Sequence, residues 1–421
     1  MHPRDLSIHD FTYALPEDRI AKQPLAERDA SRLLVCRNDR ISDHAFRELP
    51  DLLPDNALLV LNDTRVVHAR IHFKRTTGAV LECMVLSPEG DRRIEEALQD
   101  THSTRWWCMV GNAKRWKGEE LYLSEGEAGL RAVRIDHVNG EHLIEFRWND
   151  GSTFVEQLEH SGTVPLPPYM RRAATAADDV RYNTVFADRG GSVAAPTASL
   201  HFSRDVMDRI TAKGIPTTRL TLHVGAGTFL PVKSGTMDGH AMHAEQVRVP
   251  LQAVEQLIGQ MDHGPIIPVG TTALRTIESL YWHGVRILTG SAKEQLDVDQ
   301  WEPYGYPKTE LPDPLSALQA VRDQLRDGEG QDALIGTTRL LIAPGYRFRV
   351  ADALVTNFHQ PESTLLLLVA AFLGPSWRAV YDHALANDYR FLSYGDGSLF
   401  FRKDSEYSTE RGDHEPHNDQ R

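Results

Sequence analysis

Two periodicities of apolar residues divide the chain. From residue 73 to 150, runs such as "AVLECMVL", "LRAVRI" and "HLIEFRW" interleave apolar with polar residues, and Gly, Asp and Asn separate the runs. Short alternating runs at this spacing are typical of strands in a small barrel or sandwich. We therefore predict an inserted, barrel-like β domain over 73–150.

The flanking segments, 1–72 and 151–402, mix helical and strand patterns and are predicted to form one larger domain. A strand over 217–224 leads into a glycine turn, and a helix over 251–262 precedes a short strand over 265–270. That last strand runs directly into a second helical pattern, "TTALRTIESLYW". The predicted fold class is therefore α/β (mixed α+β), with a larger α/β domain that carries a smaller inserted β-barrel-like domain.

Three further segments have distinct patterns. Residues 289–334 are polar and contain proline, which predicts a surface insertion. The longest apolar run, 365–374, is about half the roughly 20 residues of a membrane helix, so it predicts a buried helix and no membrane contact. Residues 403–421 carry six acidic and three basic side chains and few apolar ones, which predicts a disordered tail.

The composition is that of a soluble globular protein, with 41% hydrophobic and 25% charged residues in a chain of 421. The N-terminal "MHPRDLSIHDF" lacks the apolar core of a signal peptide. The cysteines, Cys36, Cys83 and Cys108, are widely spaced and form no CxxC pair. These features predict a cytoplasmic protein without a disulfide framework.

The net charge of −13 does not by itself suggest a nucleic-acid partner, because phosphate contacts come from Lys and Arg. Two local groups of basic residues differ from this average. Lys114, Arg115 and Lys117 surround a tryptophan, and Arg171 adjoins Arg172. Basic residues beside an aromatic ring suit RNA contact, and a solvated strand and turn is the alternative interpretation.

The strand over 217–224 ends in "HVGAGTF", a glycine turn that looks like the start of a nucleotide-binding loop. A dinucleotide fingerprint needs a third glycine where this chain has Leu230, and Pro231 follows. A phosphate loop of the Walker type would need a Gly-Lys-Ser/Thr, which does not follow. Two interpretations remain: a tight turn with nothing bound, or glycines that let the backbone approach another ligand.

Polar residues interrupt buried runs at several strand ends, which is how α/β enzymes build pockets. His240 and His243, with Glu245, have a spacing that would supply part of a zinc site, although surface histidines explain it more simply. The chain has no GxSxG nucleophile elbow. The residues alone predict an enzyme with a polar pocket and no recognised cofactor loop.

Seven motifs, taken in order, resemble one known family. They are "PLPPYMRR", "YNTVFADRGGSVAAPTASLHF", "TLHVGAGTFLPV", "HAMHAE", "VGTTALRTIES", "PGYRFRVADALVTNFHQPESTLLLLVAAF" and "YRFLSYGDGSLF". They are similar to the S-adenosylmethionine:tRNA ribosyltransferase-isomerases (QueA) of queuosine biosynthesis. The resemblance runs from about residue 5 to 402, is weakest in 73–150, and is absent from 289–334 and from the tail.

The resemblance implies a reaction in which the ribosyl part of S-adenosylmethionine is transferred to 7-aminomethyl-7-deazaguanine in tRNA. The ribose is isomerised to give epoxyqueuosine, and adenine and methionine leave. S-adenosylmethionine is then a consumed substrate, and we expect no cofactor and no metal. We expect tRNA as the macromolecular partner, a monomeric chain and no membrane. The glycines of "HVGAGTF" would form part of the active-site wall.

This chemistry calls for a base near the sulfonium carbon and an acid near the leaving adenine. The candidate catalytic residues are His201, His223, His243, Glu245, His359 and Asp396. The candidate substrate-binding residues are Arg65, Tyr169, Thr197, Gly225, Gly227, Thr228, Thr271, Thr272, Arg275, Asn357 and Tyr394. The candidate tRNA-binding residues are Lys114, Arg115, Lys117, Arg171 and Arg172. Among these, Arg65 and Arg275 suit the methionine carboxylate or a phosphate.

Four positions depart from the residues usual in the family: Ser199 for Gly, Ala273 for Ser, His68 for Pro and Ala343 for Tyr. They motivate one alternative, a paralogue that uses S-adenosylmethionine on a different acceptor. A second alternative is a non-catalytic RNA-binding protein of the same fold. The retained His and Asp residues speak against the second, because binding alone does not need them.

Overall fold

The computed structural model describes residues 2–75, 78–123, 129–225, 227, 232, 234–307, 311–328 and 330–403. The strands are β1 (Arg32–Arg37), β2 (Arg40–Ala45), β3 (Leu58–Asn62), β4 (Thr64–Val66), β5 (Arg70–Lys74), β6 (Val80–Pro88), β7 (Ser103–Gly111), β8 (Leu121–Tyr122), β9 (Arg131–Val138), β10 (Glu141–Arg147), β11 (Gly162–Thr163), β12 (Arg189–Ser192), β13 (Thr217–Leu222), β14 (Glu245–Pro250), β15 (Ile266–Pro268), β16 (Leu296–Val298), β17 (Ala333–Thr338), β18 (Ala353–Asn357) and β19 (Gly397–Phe401). The α-helices are α1 (Leu49–Leu52), α2 (Ile94–Ala97), α3 (Phe154–Ser161), α4 (Ala176–Arg181), α5 (Arg204–Ala212), α6 (Leu251–Gln260), α7 (Thr271–Leu288), α8 (Glu302–Gly305), α9 (Pro314–Asp327), α10 (Thr364–Leu373) and α11 (Trp377–Ala386).

The inserted domain is a closed barrel, as the alternating pattern predicts. Its strands follow the order β5-β6-β7-β10-β9-β8, and a pairing of Lys74 with Tyr122 closes β8 onto β5. Alternate residues of each strand point inward, so rings such as Phe73 and Phe146 fill the interior. The barrel fold extends beyond 73–150 at both ends, because β5 begins at Arg70 and α3 packs Phe154 against barrel rings.

The larger domain contains a six-stranded sheet, β15-β3-β13-β14-β17-β16, and a four-stranded sheet, β18-β19-β1-β2. Strands β15, β3 and β13 are parallel, so their carboxyl ends lie at one edge. A parallel bridge between Val269 and Val355 places the end of β18 beside the end of β15. The polar residues that follow these four strands are therefore gathered at a single edge.

The prediction of a surface insertion over 289–334 is wrong for the apolar part of that segment. Strand β16 joins the six-stranded sheet as a parallel neighbour of β17. Helix α9 lays its apolar stripe against α7, and Leu318, Val321 and Leu325 are buried. An amphipathic helix carries many polar residues on its outer face even when its other face belongs to the core, which is why composition misled.

Helix α10 is buried in the core, as its apolar run predicts. By length and composition alone, one helical stretch of the described chain, Thr364–Ala386, qualifies as a candidate membrane span. More than half of it is buried inside the protein, as in the core helix of a folded domain. Lys403 pairs with Asp39, and the tail predicted after it, 404–421, lies outside the described residues.

Candidate active site

Three adjoining cavities lie at the gathered strand ends. The inner cavity, of about 80 Å³, lies where β15 and β18 end. The loop cavity, of about 250 Å³, lies between α7, α10 and the start of β14 and shares Leu365 with the inner cavity. The interdomain cleft, of about 650 Å³, separates the barrel from the larger domain and shares Gly227 and His243 with the loop cavity. The three form one branched depression.

The start of α7 forms part of the inner-cavity wall. Gly270 precedes the helix with a φ of 94°, a backbone angle that favours glycine, and Thr271 and Thr272 line the cavity. The first N–H groups of a helix have no intrahelical partner, and no side chain caps them at this helix end. Asn62 donates to Thr272 Oγ1 at 3.2 Å and holds the threonine in place. This wall offers hydrogen-bond donors and the positive end of the helix dipole to a ligand.

Asn357, at the end of β18, is oriented by His201. His201 Nε2 lies 3.0 Å from Asn357 Oδ1, and Nδ1 lies 2.9 Å from Ser31 Oγ. The Asn357 amide nitrogen donates to the carbonyl of Leu392 at 3.1 Å. Burial lowers the pKa of His201 to about 4, so the ring is neutral. His201 therefore positions Asn357 through a closed network and does not line the inner cavity itself.

His359 lines the inner cavity and is also neutral. Its Nε2 lies 3.0 Å from Thr356 Oγ1, and its backbone carbonyl accepts a hydrogen bond from Tyr13. Burial lowers the pKa of His359 to about 3. A ring held this way acts as a hydrogen-bonding group at neutral pH and not as a cation.

Tyr169 closes the inner cavity from the opposite side, near Thr197, which also lines it. The hydroxyls of Tyr169 and Ser393 lie 2.5 Å apart. Burial raises the pKa of Tyr169 to about 12, so the phenol stays protonated. The neighbouring Leu392 has a φ of 71°, which is rare for a bulky residue and marks backbone strain at the cavity wall.

The loop cavity contains a buried ion pair between Arg275 and Glu245. Both side chains are about 6% exposed. Arg275 Nε donates to the carbonyl of Leu340 at 3.1 Å, but its Nη2 is buried without a partner among the described residues. A buried guanidinium with an unused donor favours an anionic ligand at this place.

His243 lies where the loop cavity meets the interdomain cleft, and it is exposed. Gly227 packs directly on its ring: a Cβ added at Gly227 would lie 2.0 Å from His243 Cδ2. The glycine is thus required by close approach and not by a positive φ. Gly225 lines the cleft with open space around its Cα, and Thr228 lies outside the described residues.

His223 connects the two domains across the cleft. Its Nδ1 lies 2.9 Å from Thr64 Oγ1, and its Nε2 lies 3.9 Å from Glu95 Oε1 on α2 of the inserted domain. The interaction with His223 lowers the pKa of Glu95. Gly191 makes room for the ring, because a Cβ there would lie 2.8 Å from His223 Cε1. Sequence reasoning missed Glu95, which lies in 73–150, where family motifs are weakest.

Besides His201, three predicted catalytic or substrate-binding residues lie away from the three cavities. The carboxylate of Asp396 accepts hydrogen bonds from the backbone N–H groups of Arg32 and Arg390, so its role is structural. Tyr394 donates to Asp178 at 2.9 Å. Arg65 pairs with Glu159 of α3 at 2.6 Å. The geometry does not support these three assignments, because each polar group already has a partner within the protein.

The predicted tRNA-binding residues differ in whether they are exposed or already paired within the protein. Lys114, Arg115 and Lys117 are exposed at one end of the barrel. The tryptophan among them, Trp116, is 3% exposed, so its ring is not available to stack on a base. Arg171 is exposed and pairs with Glu17 at 2.9 Å, whereas Arg172 makes a bidentate ion pair with buried Asp178 at 2.7 Å. The geometry therefore does not support the assignment of Arg172 to tRNA.

The zinc interpretation of His240, His243 and Glu245 finds no support in the geometry. Across the part of the chain that the structure describes, no group of three or more His, Cys, Asp or Glu is arranged to hold a metal ion. Glu245 is instead committed to Arg275.

A cavity at a domain interface, with titratable side chains on its walls, is typical of an active or binding site. Comparison with known proteins makes the class specific. Residues 8–400 match the family described as queuosine biosynthesis protein, and the chain belongs to that family.

Similar proteins cover nearly the whole chain. A protein of Azoarcus sp. (strain BH72) named S-adenosylmethionine:tRNA ribosyltransferase-isomerase is 40% identical, over 95% of this chain and 99% of its own. A protein of the same name from Anaeromyxobacter sp. (strain Fw109-5) is 38% identical, over 95% of this chain and 100% of its own. The protein in the crystal structure of S-adenosylmethionine tRNA ribosyltransferase from Thermotoga maritima is 27% identical. The match covers 93% of this chain and 100% of that chain, with a TM-score of 0.45.

Proposed function

We propose that this protein is an S-adenosylmethionine:tRNA ribosyltransferase-isomerase. It transfers the ribosyl moiety of S-adenosylmethionine to the 7-aminomethyl-7-deazaguanine base of tRNA and isomerises it to epoxyqueuosine, with release of adenine and methionine. The observation that carries the proposal is the branched cavity, which lies on the family motifs and has room for a small substrate beside a base. Relatives that bear this name match nearly the full chain.

The charges of the cavities suit the parts of S-adenosylmethionine. The unused Nη2 donor of Arg275 would hold the methionine carboxylate in the loop cavity. The N–H groups at the start of α7 would donate hydrogen bonds to a part of the adenosine portion at the inner cavity. S-adenosylmethionine is a consumed substrate in this proposal, which includes no cofactor and no metal.

In this proposal, residues of the interdomain cleft transfer protons to and from the substrate. His243 is exposed and touches two of the cavities, so it can reach a substrate directly. His223 is paired with Glu95, which would stabilise the protonated ring as a proton is taken up. His201 and His359, which are buried and neutral, would position substrate and neighbouring groups.

The base of tRNA would enter through the interdomain cleft. Lys114, Arg115 and Lys117 are exposed on the barrel and would contact phosphates of the same tRNA. The proposal takes the chain as a cytoplasmic monomer.

The alternative acceptor loses its main motivation in the structure. The substituted residues Ser199, Ala273 and Ala343 are fully buried, and none of them lines the three cavities. His68 faces Glu159 and Asp179 instead of a cavity. The departures thus change packing around the site and not its surface.

The test is incubation with S-adenosylmethionine and tRNA that carries the aminomethyl base, followed by nucleoside mass spectrometry. We expect epoxyqueuosine in the tRNA and equal release of adenine and methionine. The control tRNA carries unmodified guanine at the same position and should give no product. Methylated nucleoside with S-adenosylhomocysteine would contradict the reaction, and product on the control tRNA alone would establish the different acceptor.

A further inference from the structure

A fourth cavity, of about 670 Å³, lies at the far ends of α7 and α10 from the active site. We call it the aromatic cavity, because six rings line it: Trp282, Tyr304, Tyr306, Tyr346, Phe348 and Phe372. Helix α10 begins at the inner cavity and ends here, and ten residues at about 1.5 Å each span roughly 15 Å. The aromatic cavity is therefore separate from the active site.

The charge at this cavity is opposite to that of the whole protein. Arg347, Arg349, Arg402 and Lys403 border it, and no Asp or Glu is among its described lining residues. The chain as a whole has a net charge of −13. Lys403 is neutralised by Asp39, and the buried Glu278 carboxylate is bound by Tyr346 and the Arg349 backbone. An anionic ligand would therefore be attracted by the remaining lining arginines.

Two of these cations have hydrogen-bond donors without a partner among the described residues. Arg347 is exposed, and within the described ranges its guanidinium makes no hydrogen bond or ion pair. Arg349 Nε is buried without a partner, and its guanidinium lies 5.3 Å from the ring of Tyr281. In contrast, Arg402 donates to backbone carbonyls, and Lys403 pairs with Asp39 at 2.7 Å. Arg347 is the exposed group left to bind an anion, and Arg349, whose Nε is buried, adds positive charge beside it.

The rings add a preference for a flat aromatic group. Tyr306 is half-buried and stacks on Trp282 with ring centroids 5.4 Å apart; Trp282 is only 2% exposed, so Tyr306 is the ring that a ligand would meet. Tyr304 and Tyr346 meet edge to face beside them. Rings of this kind bind bases by stacking, and arginines next to them bind phosphate.

We propose that the aromatic cavity is a nucleotide-binding site, which takes an aromatic base attached to a phosphate. The same chemistry occurs in a free nucleoside monophosphate and in one unit of an RNA strand. The inference is independent of the proposed reaction, because no residue of the aromatic cavity lines the active-site cavities.

Equilibrium titration of the full chain with adenosine 5′-monophosphate, adenosine and inorganic phosphate tests the proposal. We expect the monophosphate to bind more tightly than either part alone. Arg347→Ala should weaken binding of the monophosphate at least about tenfold and leave binding of adenosine unchanged, since it removes hydrogen bonds to a charged group. Tyr306→Leu should weaken both. Arg40→Ala, an exposed arginine outside the cavities, is the matched control and should change nothing.

A short single-stranded RNA and tRNA, titrated into the same variants, distinguish the two sources. Loss of RNA affinity together with monophosphate affinity would assign the cavity to an RNA unit, and loss of monophosphate affinity alone would assign it to a free nucleotide. If the wild type fails to bind the monophosphate saturably, or if Arg347→Ala and Tyr306→Leu bind it as the wild type does, the proposal is overturned. Turnover with S-adenosylmethionine tests the proposed function separately.

Discussion

At the scale of single residues, the surroundings of the histidines separate them into two groups, although His223 is as buried as His201 and His359. His201 and His359 are buried and neutral, and their hydrogen bonds are made inside the protein. His243 is exposed between two cavities, and His223 faces Glu95 across the cleft. The proposed function assigns proton exchange with the substrate to the second pair.

We expect His223→Ala to reduce turnover at least about tenfold, because general acid–base help is worth more than that. The melting temperature should shift by only a few degrees, since the ring faces a cleft and not the core. Single-turnover kinetics and a thermal melt measure the two effects. His160→Ala, an exposed histidine of α3, is the control. An unstable variant with near-normal turnover would show that His223 is structural.

Gly227 gives a second prediction at this scale. Gly227→Ala should lower turnover by at least about tenfold, because the new methyl group would displace the ring of His243 from the cavity junction. Gly235→Ala is the matched control, since a Cβ at Gly235 meets nothing within 4 Å. Equal turnover in the two variants would mean that the position of His243 does not matter.

At the scale of elements, α4 depends on a single carboxylate. Asp178 accepts hydrogen bonds from Arg172 and from Thr175 at the helix start. Burial alone would raise the pKa of Asp178, but these hydrogen bonds outweigh burial and hold the pKa below its ordinary value. The stability that Asp178 contributes is therefore complete above the unfolded pKa of about 4 and declines as the pH falls below it.

We expect Asp178→Asn to lower the free energy of unfolding by about 3 kcal/mol at pH 7, because it leaves a largely buried arginine unpaired. At pH 3 the loss should be smaller, since the wild type is then losing the same contribution. Urea unfolding at both pH values measures the difference. Asp205→Asn on α5, an exposed carboxylate, serves as the control. A penalty equal at both pH values would contradict the assignment.

The elements also show how far the sequence can predict this fold. Alternation identified the barrel because each strand has one face inside it, and strand ends followed by Asn357 or Thr271 identified the cavity. Pattern could not show that Tyr394 and Asp396 point into the protein, because motif residues serve packing as well as chemistry. Nor could it find Glu95, which reaches the site only through the docking of two domains.

At the scale of the whole molecule, charge is unevenly distributed. The protein is acidic overall, while Lys114, Arg115 and Lys117 project from one end of the barrel. Such a local group can attract a phosphate backbone even when the net charge is negative.

We expect Arg115→Ala and Lys117→Ala to weaken tRNA binding more at low salt than at high salt. Each removed phosphate contact should reduce the slope of log K against log salt by about 0.7 to 0.9. Filter binding or fluorescence anisotropy over a range of salt concentrations measures the slope. Arg204→Ala on α5 controls for loss of any exposed cation. Affinity unchanged at every salt concentration would identify this end of the barrel as a solvated surface.

Strand β19 is an inner strand of its sheet, between β18 and β1, although it is the last strand among the described residues. During synthesis on the ribosome, β1 is made long before β19, its parallel partner, and cannot form that pairing until β19 has been made. The barrel, whose strands are close together in sequence, can close long before that. A message that stops short of β19 would thus give a finished barrel attached to an open sheet. Such a product would expose the unpaired edge of β1 to association with other chains, even with its barrel complete.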